Sequence, residues 1–269
     1  AYEIVISYNE MLVNAALLMF FLATASTDLL NESWKERPLP SNCVEAVSLA
    51  GSEAKSGIYR IRVLLDNWAH RPFYVYCLLD ENGGDPWLLV QRRQGEDVDF
   101  YRNWTDYKNG FGNLATSFFI GLDKLNALTQ VELNELQIEL RDFEDTTKYA
   151  NYESFAVADE NEKYALNILG PYTGDAGDAL LGYHDGQKFS TYDQDNDNWK
   201  GNCAQQYEAA WWYKSCDLSN LNGKYLKGAH ENSTEGINWE PWRGSYYSLK
   251  YTHMAIRPKD RVQMRGQRW

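Results

Sequence analysis

Between Gly170 and about Trp242 the chain runs for more than 70 residues with almost no apolar periodicity, and Gly, Asp and Asn dominate its composition there. A region of that kind does not stay inside a compact fold unless cross-links or ligands replace the missing backbone ladder. The stretch Phe189–Cys216, FSTYDQDNDNWKGNCAQQYEAAWWYKSC, offers both. Asp193, Asp195 and Asp197 alternate beside asparagines and a glycine, as a hard, oxygen-seeking cation such as Ca²⁺ requires. Cys203 and Cys216, with twelve residues between them, can close the adjoining loop, and Trp199, Tyr207, Trp211 and Trp212 crowd the same segment. The stretch therefore reads as a calcium-braced recognition site, against the plainer reading of exposed turn aspartates.

Other chemistries fit these residues less well. An EF-hand loop starting at Asp193 needs glycine at its sixth position and glutamate at its twelfth, where the chain has Asn198 and Ala204. A glycosidase needs one carboxyl of raised pKa facing its partner across a sugar, which closely spaced aspartates in a polar loop do not supply. The sequence has no G-x-S-x-G elbow, no H-E-x-x-H and no phosphate-cradling glycine loop, so no enzyme is expected.

Four cysteines admit three pairings, and their clustering favours Cys43–Cys77 and Cys203–Cys216. No two cysteines have zinc-ligand spacing, and the four histidines are scattered, so disulfides and an oxidising compartment are expected. The net charge of −12 argues against nucleic acid and against an anionic membrane surface. Ten tryptophans and nineteen tyrosines supply either stiff contact area for recognition or the packing of a strand-rich core. Residues 1–26 end in an apolar run, Met11–Ser26, of signal-peptide length that is too short for a comfortable membrane span. Residues 27–39 read as a polar linker and residues 259–269 as a basic tail, while Asn31, Asn103 and Asn232 open glycosylation triplets.

Along the chain, Ser56–Val63 and Phe73–Leu79 alternate as short strands, with no helix expected between Cys43 and Cys77. Trp87–Arg93 reads as a buried strand and Tyr101–Asn113 as a structured loop. Helical spacing of Phe118, Leu122, Leu125 and Leu128 predicts a helix over Leu114–Leu128 capped by Asn113. Strands are predicted over Leu133–Asp142, Tyr149–Phe155, Tyr164–Ile168 and Tyr246–Arg257. The chain carries no heptads and no Gly-X-Y repeat.

A series of separated motifs adds to this reading: Ser56-Gly57-Ile58-Tyr59, Val75-Tyr76-Cys77, Gln91-Arg92-Arg93, Tyr107-Lys108-Asn109-Gly110-Phe111-Gly112, Tyr149-Ala150-Asn151-Tyr152, Asn202-Cys203-Ala204, Trp211-Trp212-Tyr213, Asn220-Leu221-Asn222-Gly223, Gly236-Ile237-Asn238-Trp239 and Ile256-Arg257-Pro258. With these in order, residues 40–258 resemble the fibrinogen-related domain, the C-terminal globe of fibrinogen chains, ficolins, tachylectin-5 lectins and insect fibrinogen-related proteins. The resemblance implies an α+β globe with a small disulfide-bearing N-terminal subdomain, a central antiparallel sheet with flanking helices, and a loop-rich calcium-binding lobe over about 170–245. It places the calcium carboxylates on Asp195 and Asp197, adds the backbone carbonyls of Trp199 and Gly201, and leaves Asp193 as an outer or structural carboxylate. It also implies a cis peptide at Ser215–Cys216.

In acetyl-binding members of this family a pocket adjoins the second disulfide. Here its matching positions are Cys203, Cys216, Tyr207, Asp217, Ser233, Thr234, and Tyr247 or Tyr246. Asp217 stands where histidine is frequent, and Ser233–Thr234 replace an aromatic and a small apolar residue. A carboxylate at Asp217 is expected to repel anions, and loss of an aromatic wall to remove about 1–3 kcal/mol of methyl burial. The resemblance thus implies a secreted, calcium-stabilised, lectin-like protein of innate immunity that binds N-acetylated glycans. The alternative is an extracellular signalling or adhesion ligand that docks a cell-surface receptor through the same lobe. Neither reading calls for a membrane span in the mature chain, and both are compatible with a homo-oligomer.

Overall fold

Strand β3 (Trp87–Arg93) is buried along its whole length, which a seven-residue strand achieves only when both faces of its sheet are covered. Everything else is laid around it. The computed structural model describes residues 38–68 and 70–259. The leader 1–26, linker residues 27–37, Asn31 and the basic tail beyond Lys259 lie outside the described residues. In chain order the elements before β3 are α1 (Cys43–Ala50), β1 (Gly57–Ile61) and β2 (Phe73–Leu78). After it come α2 (Trp104–Asn109), β4 (Phe111–Gly112), β5 (Phe118–Phe119), α3 (Leu122–Val131), β6 (Asn134–Arg141), β7 (Thr147–Val157), β8 (Leu166–Leu169) and β9 (Tyr172–Gly174). The last third holds only short pieces, α4 (Cys203–Gln206), β10 (Ser219–Asn220), β11 (Gly228–Ala229), β12 (Asn238–Trp239), α5 (Glu240–Arg243) and β13 (Tyr247–Ser248), before the long β14 (Tyr251–Pro258).

One ten-stranded sheet contains the order β1-β2-β3-β14-β6-β7-β8, with β4, β5 and β9 at its margins. All of its pairings are antiparallel. The C-terminal strand β14 inserts between β3 and β6, so the last residues of the domain close its middle. The N-terminal subdomain is the edge of this same sheet, since β2 pairs β3 directly. The Cys43–Cys77 disulfide ties α1 to β2. Helix α3 is pinned to β7, where the Asn126 amide donates to the Val157 carbonyl at 2.9 Å. The loop lobe is pinned to β3 by Gln91, whose amide donates to Leu221 O at 2.8 Å and to Asn222 Oδ1 at 3.1 Å.

Four local expectations change. The stretch after Cys43 begins as helix α1, with Asn42 Oδ1 accepting from Glu45 N at 3.0 Å and Glu45 Oε2 from Ser41 N at 2.8 Å. Asn-x-x-Glu is a reciprocal cap, and its short-range signal outweighs the strand pattern that follows it. The helix predicted over Leu114–Leu128 is displaced to α3, and Asn113 caps no helix. Its carboxamide oxygen instead accepts from Ala115 N at 2.9 Å in a turn, and Phe118–Phe119 pair with Arg92 and Gln91 as β5. Arg92 explains the difference: its guanidinium takes the carbonyls of Thr116 and Leu114, acceptors that a helix would use internally. Gly121, at φ +108°, then starts α3 where an added Cβ would stand 2.7 Å from the Asn109 backbone. Chain 101–113, read as a loop, contains the short helix α2, and the predicted Tyr246–Arg257 strand is split into β13 and β14.

Candidate functional site

The acidic loop hangs from the second disulfide by its own carboxylates. Asp195 Oδ1 accepts from Asp197 N at 3.2 Å. Asp197 Oδ1 accepts from Trp199 N at 2.8 Å, and its Oδ2 from Cys203 N at 2.8 Å. Cys203 is bonded to Cys216, so one carboxylate links the acidic loop to the cross-link. Burial, reinforced by the neighbouring charge of Asp195, holds the Asp197 carboxyl above its ordinary range despite the two backbone N–H donors. Neither Asp195 nor Asp197 has a cationic side chain in ion-pair contact among the described residues.

The carbonyls of Trp199 and Gly201 accept no backbone hydrogen bond among the described residues, and a Cβ at Gly201 would stand 2.6 Å from the Trp199 ring, so that ring lies where only a glycine leaves it undisturbed. Two carboxylates and two carbonyls without backbone donors are a donor set whose chemistry fits Ca²⁺. Among the described residues no group of three or more His, Cys, Asp or Glu is placed to hold a metal ion by itself, so carbonyls and water must complete any such site. Asp193 does other work. Its Oδ1 accepts from Trp104 N at 2.9 Å and from Thr191 Oγ1 at 2.7 Å, joining the loop to the start of α2.

The loop's outer wall is equally well tied. Asn196 donates its amide to Phe189 O at 2.7 Å, and Asn198 N donates to Lys214 O at 2.8 Å. The Ser215–Cys216 peptide is cis. Behind it lies His184, which the sequence reading left among the scattered histidines. Its Nδ1 lies 2.7 Å from Trp212 O, and its Nε2 accepts from Leu218 N at 3.1 Å. Burial depresses the imidazole to about 4 and keeps it neutral, which Nε2 needs in order to accept. Nothing local in the sequence marks this role.

Asp217 is not the exposed charge expected at the pocket mouth. Its carboxyl is buried, both oxygens lack a hydrogen-bond partner, and the Asn238 amide draws alongside without meeting hydrogen-bond geometry. Burial pushes it up to about 8, so at neutral pH it is mostly a neutral acid that repels no anion. Tyr213, Asn220 and Asn238 complete this buried polar group, and the last two are cross-strand partners in β10 and β12.

The remaining pocket positions are spread out. Tyr207 is half-buried with its ring 6.4 Å from that of Tyr213. Thr234, at φ +60°, donates its N–H to Ser245 O at 2.6 Å, while Ser233 is exposed. Tyr246 is 57% exposed. Tyr247 turns elsewhere: its hydroxyl donates to Glu144 Oε2 at 2.8 Å and accepts from Phe143 N at 2.9 Å, with Arg243 over its ring at 4.2 Å. Asn103 is half-buried and caps α2, accepting from Asp106 N at 2.8 Å, whereas Asn232 is exposed.

Comparison with known proteins converges on one family. Residues 39–259 match the model of the fibrinogen beta and gamma chains, C-terminal globular domain. Human fibrinogen C domain-containing protein 1 is 44% identical over 191 residues, covering 69% of this chain and 41% of that protein. Human tenascin-R is 40% identical over 231 residues, covering 86% of this chain and 16% of its own length. The chain thus spans less than half of either relative. Among solved structures, the fibrinogen-like globe domain of human ANGPTL2 superposes with a TM-score of 0.76 at 36% identity, covering 82% of this chain and all of that one. A lamprey fibrin D-dimer, complexed with the peptide Gly-His-Arg-Pro-amide, gives 0.74 at 31% identity, covering 96% of this chain and 91% of that one. This chain belongs to the family of fibrinogen C-terminal globular domains.

Proposed function

We propose that this domain is an extracellular, calcium-braced, non-catalytic recognition module whose binding surface adjoins the Cys203–Cys216 disulfide and takes N-acetylated glycans. The observation that carries the reading is the Asp197 carboxylate, which links the cation donor set to Cys203 at 2.8 Å. A Ca²⁺ held by Asp195, Asp197 and the carbonyls of Trp199 and Gly201 would neutralise the two adjacent carboxylates and hold that wall of the surface still. Tyr207 and the exposed Tyr246 offer rings on which a sugar can stack, and innate immune recognition of microbial surfaces is a use that fits. The neutral Asp217 removes the anion-repelling element that the sequence suggested. Two disulfides and an acidic surface suit a secreted setting. The test is a glycan array probed in millimolar Ca²⁺ and in chelator. Retention of acetylated sugars only with Ca²⁺ is expected, and no retention in either condition sinks the glycan reading.

A second reading has its own support. Ser233 replaces an aromatic wall and Tyr247 is committed to Glu144 and Arg243, so the pocket that would grip a methyl group is reduced. These changes favour a signalling or adhesion ligand that docks a protein receptor through the same lobe. Capture of a defined cell-surface receptor by the purified domain, with no glycan retained, would decide for it.

A further inference from the structure

A cavity of about 260 Å³ lies apart from the acidic loop, between the C-terminal end of β3, the Glu96–Tyr101 segment and the Asn222–Tyr225 turn. Arg93 lines it. Only 2% of this residue is exposed, and its guanidinium has no carboxylate within ion-pair distance among the described residues. One amino group donates to Leu221 O at 3.1 Å and to Gly223 O at 2.6 Å, while Nε has no partner. Phe100 lies against the guanidinium plane at 3.8 Å and lines the same cavity. Asp97 and Asp99 act on this buried cation only from beyond ion-pair distance, and its direct partners are carbonyls and an aromatic face, so it can still take an anion in contact.

The walls carry the opposite sign. Asp99, Glu96 and Glu208 line the cavity; Glu96 is paired with Lys227 at 2.5 Å, and Lys224, also lining it, is shared between Glu208 at 2.9 Å and Glu235 at 3.6 Å, which leaves Asp99 as the lining carboxylate without an ion pair among the described residues. Such walls repel polyanions but attract an ammonium group. Tyr101 and Tyr225 add aromatic surface. A cation at the base, carboxylates around it and aromatic walls together match a small zwitterion.

From this arrangement we propose that the cavity binds an α-amino-acid group, with its carboxylate on Arg93, its ammonium among Asp99, Glu96 and Glu208, and an apolar side chain against the aromatic walls. None of the cation donors of the acidic loop lines the cavity, although Glu208 follows Tyr207 in the chain and Tyr101 packs on Tyr192 at 4.9 Å; the proposal does not rest on the glycan reading. The probe is free phenylalanine, titrated into the intact domain while NMR follows the Arg93 Nε–H and the rings of Tyr101 and Tyr225. Saturable shifts at these groups are expected. Phenylalaninamide, lacking the carboxylate, and N-acetylphenylalanine, lacking the ammonium, should each bind at least about tenfold more weakly. Asp99→Asn, which keeps the side-chain oxygen that accepts from Tyr101 N, should weaken phenylalanine by a similar factor. Arg93→Lys keeps the charge and loses the fork; if it folds it should bind more weakly, and Asp99→Asn carries the test if it does not. An acetylated-sugar competitor should leave the shifts unaltered. No saturable shift, or equal binding of phenylalanine and its amide, overturns the proposal whatever the outcome of the glycan array.

Discussion

Asp197 carries most of the candidate site's logic in a single side chain. Its two oxygens already serve Trp199 N and Cys203 N, yet each retains lone pairs for a cation. Replacing both Asp195 and Asp197 by alanine should therefore abolish the calcium-dependent rise in melting temperature, leaving the variant where the parent sits in chelator. For the parent, Ca²⁺ at 100 times its dissociation constant adds about 2.7 kcal/mol. Equal calcium stabilisation of variant and parent in calorimetry would refute the assignment. Asp217 behaves differently, because its folded pKa is raised while its unfolded one is ordinary. The folded chain then holds a proton that the unfolded chain releases, so stability is full below about pH 4 and declines as pH rises towards about 8. Asp217→Asn should remove that decline. Its gain over the parent should be near zero at pH 4 and reach a few kcal/mol at pH 8, read from urea titrations at the two values.

Elements show where short-range rules suffice and where they fail. Strand β6 alternates buried and half-buried residues without exception, and its period-two pattern was plain in Leu133–Asp142. Helix α1 is also legible in the Asn42–Glu45 cap, a signal that the alternation of the neighbouring strands masks. The displaced α3 was not legible in the same way. The carbonyls that stop a helix at 114–117 are held by Arg92, more than twenty residues away in sequence. An Arg92→Gln change frees both carbonyls and should destabilise the domain by about 1–3 kcal/mol through the lost charged hydrogen bonds, measured as a shift in urea midpoint. The disulfide from α1 to β2 offers a second check at this scale. With 34 residues of separation, its removal by Cys43→Ser with Cys77→Ser should cost about 3–4 kcal/mol on the chain-entropy account, read the same way.

At the scale of the whole molecule, three buried groups set opposing pH trends. His184 and His253 are held neutral by burial, their pKa values depressed to about 4 and about 3 from 6.5. Unfolding lets both take up protons below pH 6.5, so their part of the stability rises with pH up to that point and then levels off. Above that point Asp217 draws stability down towards pH 8. Together these groups predict a stability maximum near pH 6.5 in chelator, with the alkaline side flattened in Asp217→Asn. A profile that climbs steadily to pH 9 would contradict this balance.

By itself the sequence offered the chemistry: two cysteine pairs by clustering, a run of alternating carboxylates at Asp193, Asp195 and Asp197 that suits an oxygen-seeking cation, and most of the strands by alternation. These are covalent or near-neighbour properties, and they survive without knowledge of what packs against them. The motif series carried further, because resemblance to a family imports long-range information that composition lacks. Only the tertiary structure decided that the Asp217 carboxyl is buried with its pKa raised, that Tyr247 is spent on Glu144, and that Arg93 is buried with no carboxylate in ion-pair contact among the described residues. Each outcome depends on a residue distant in sequence. A carboxyl's charge is set by the water it loses, and that loss is known only once Asn220, Asn238 and Tyr213 have closed around it.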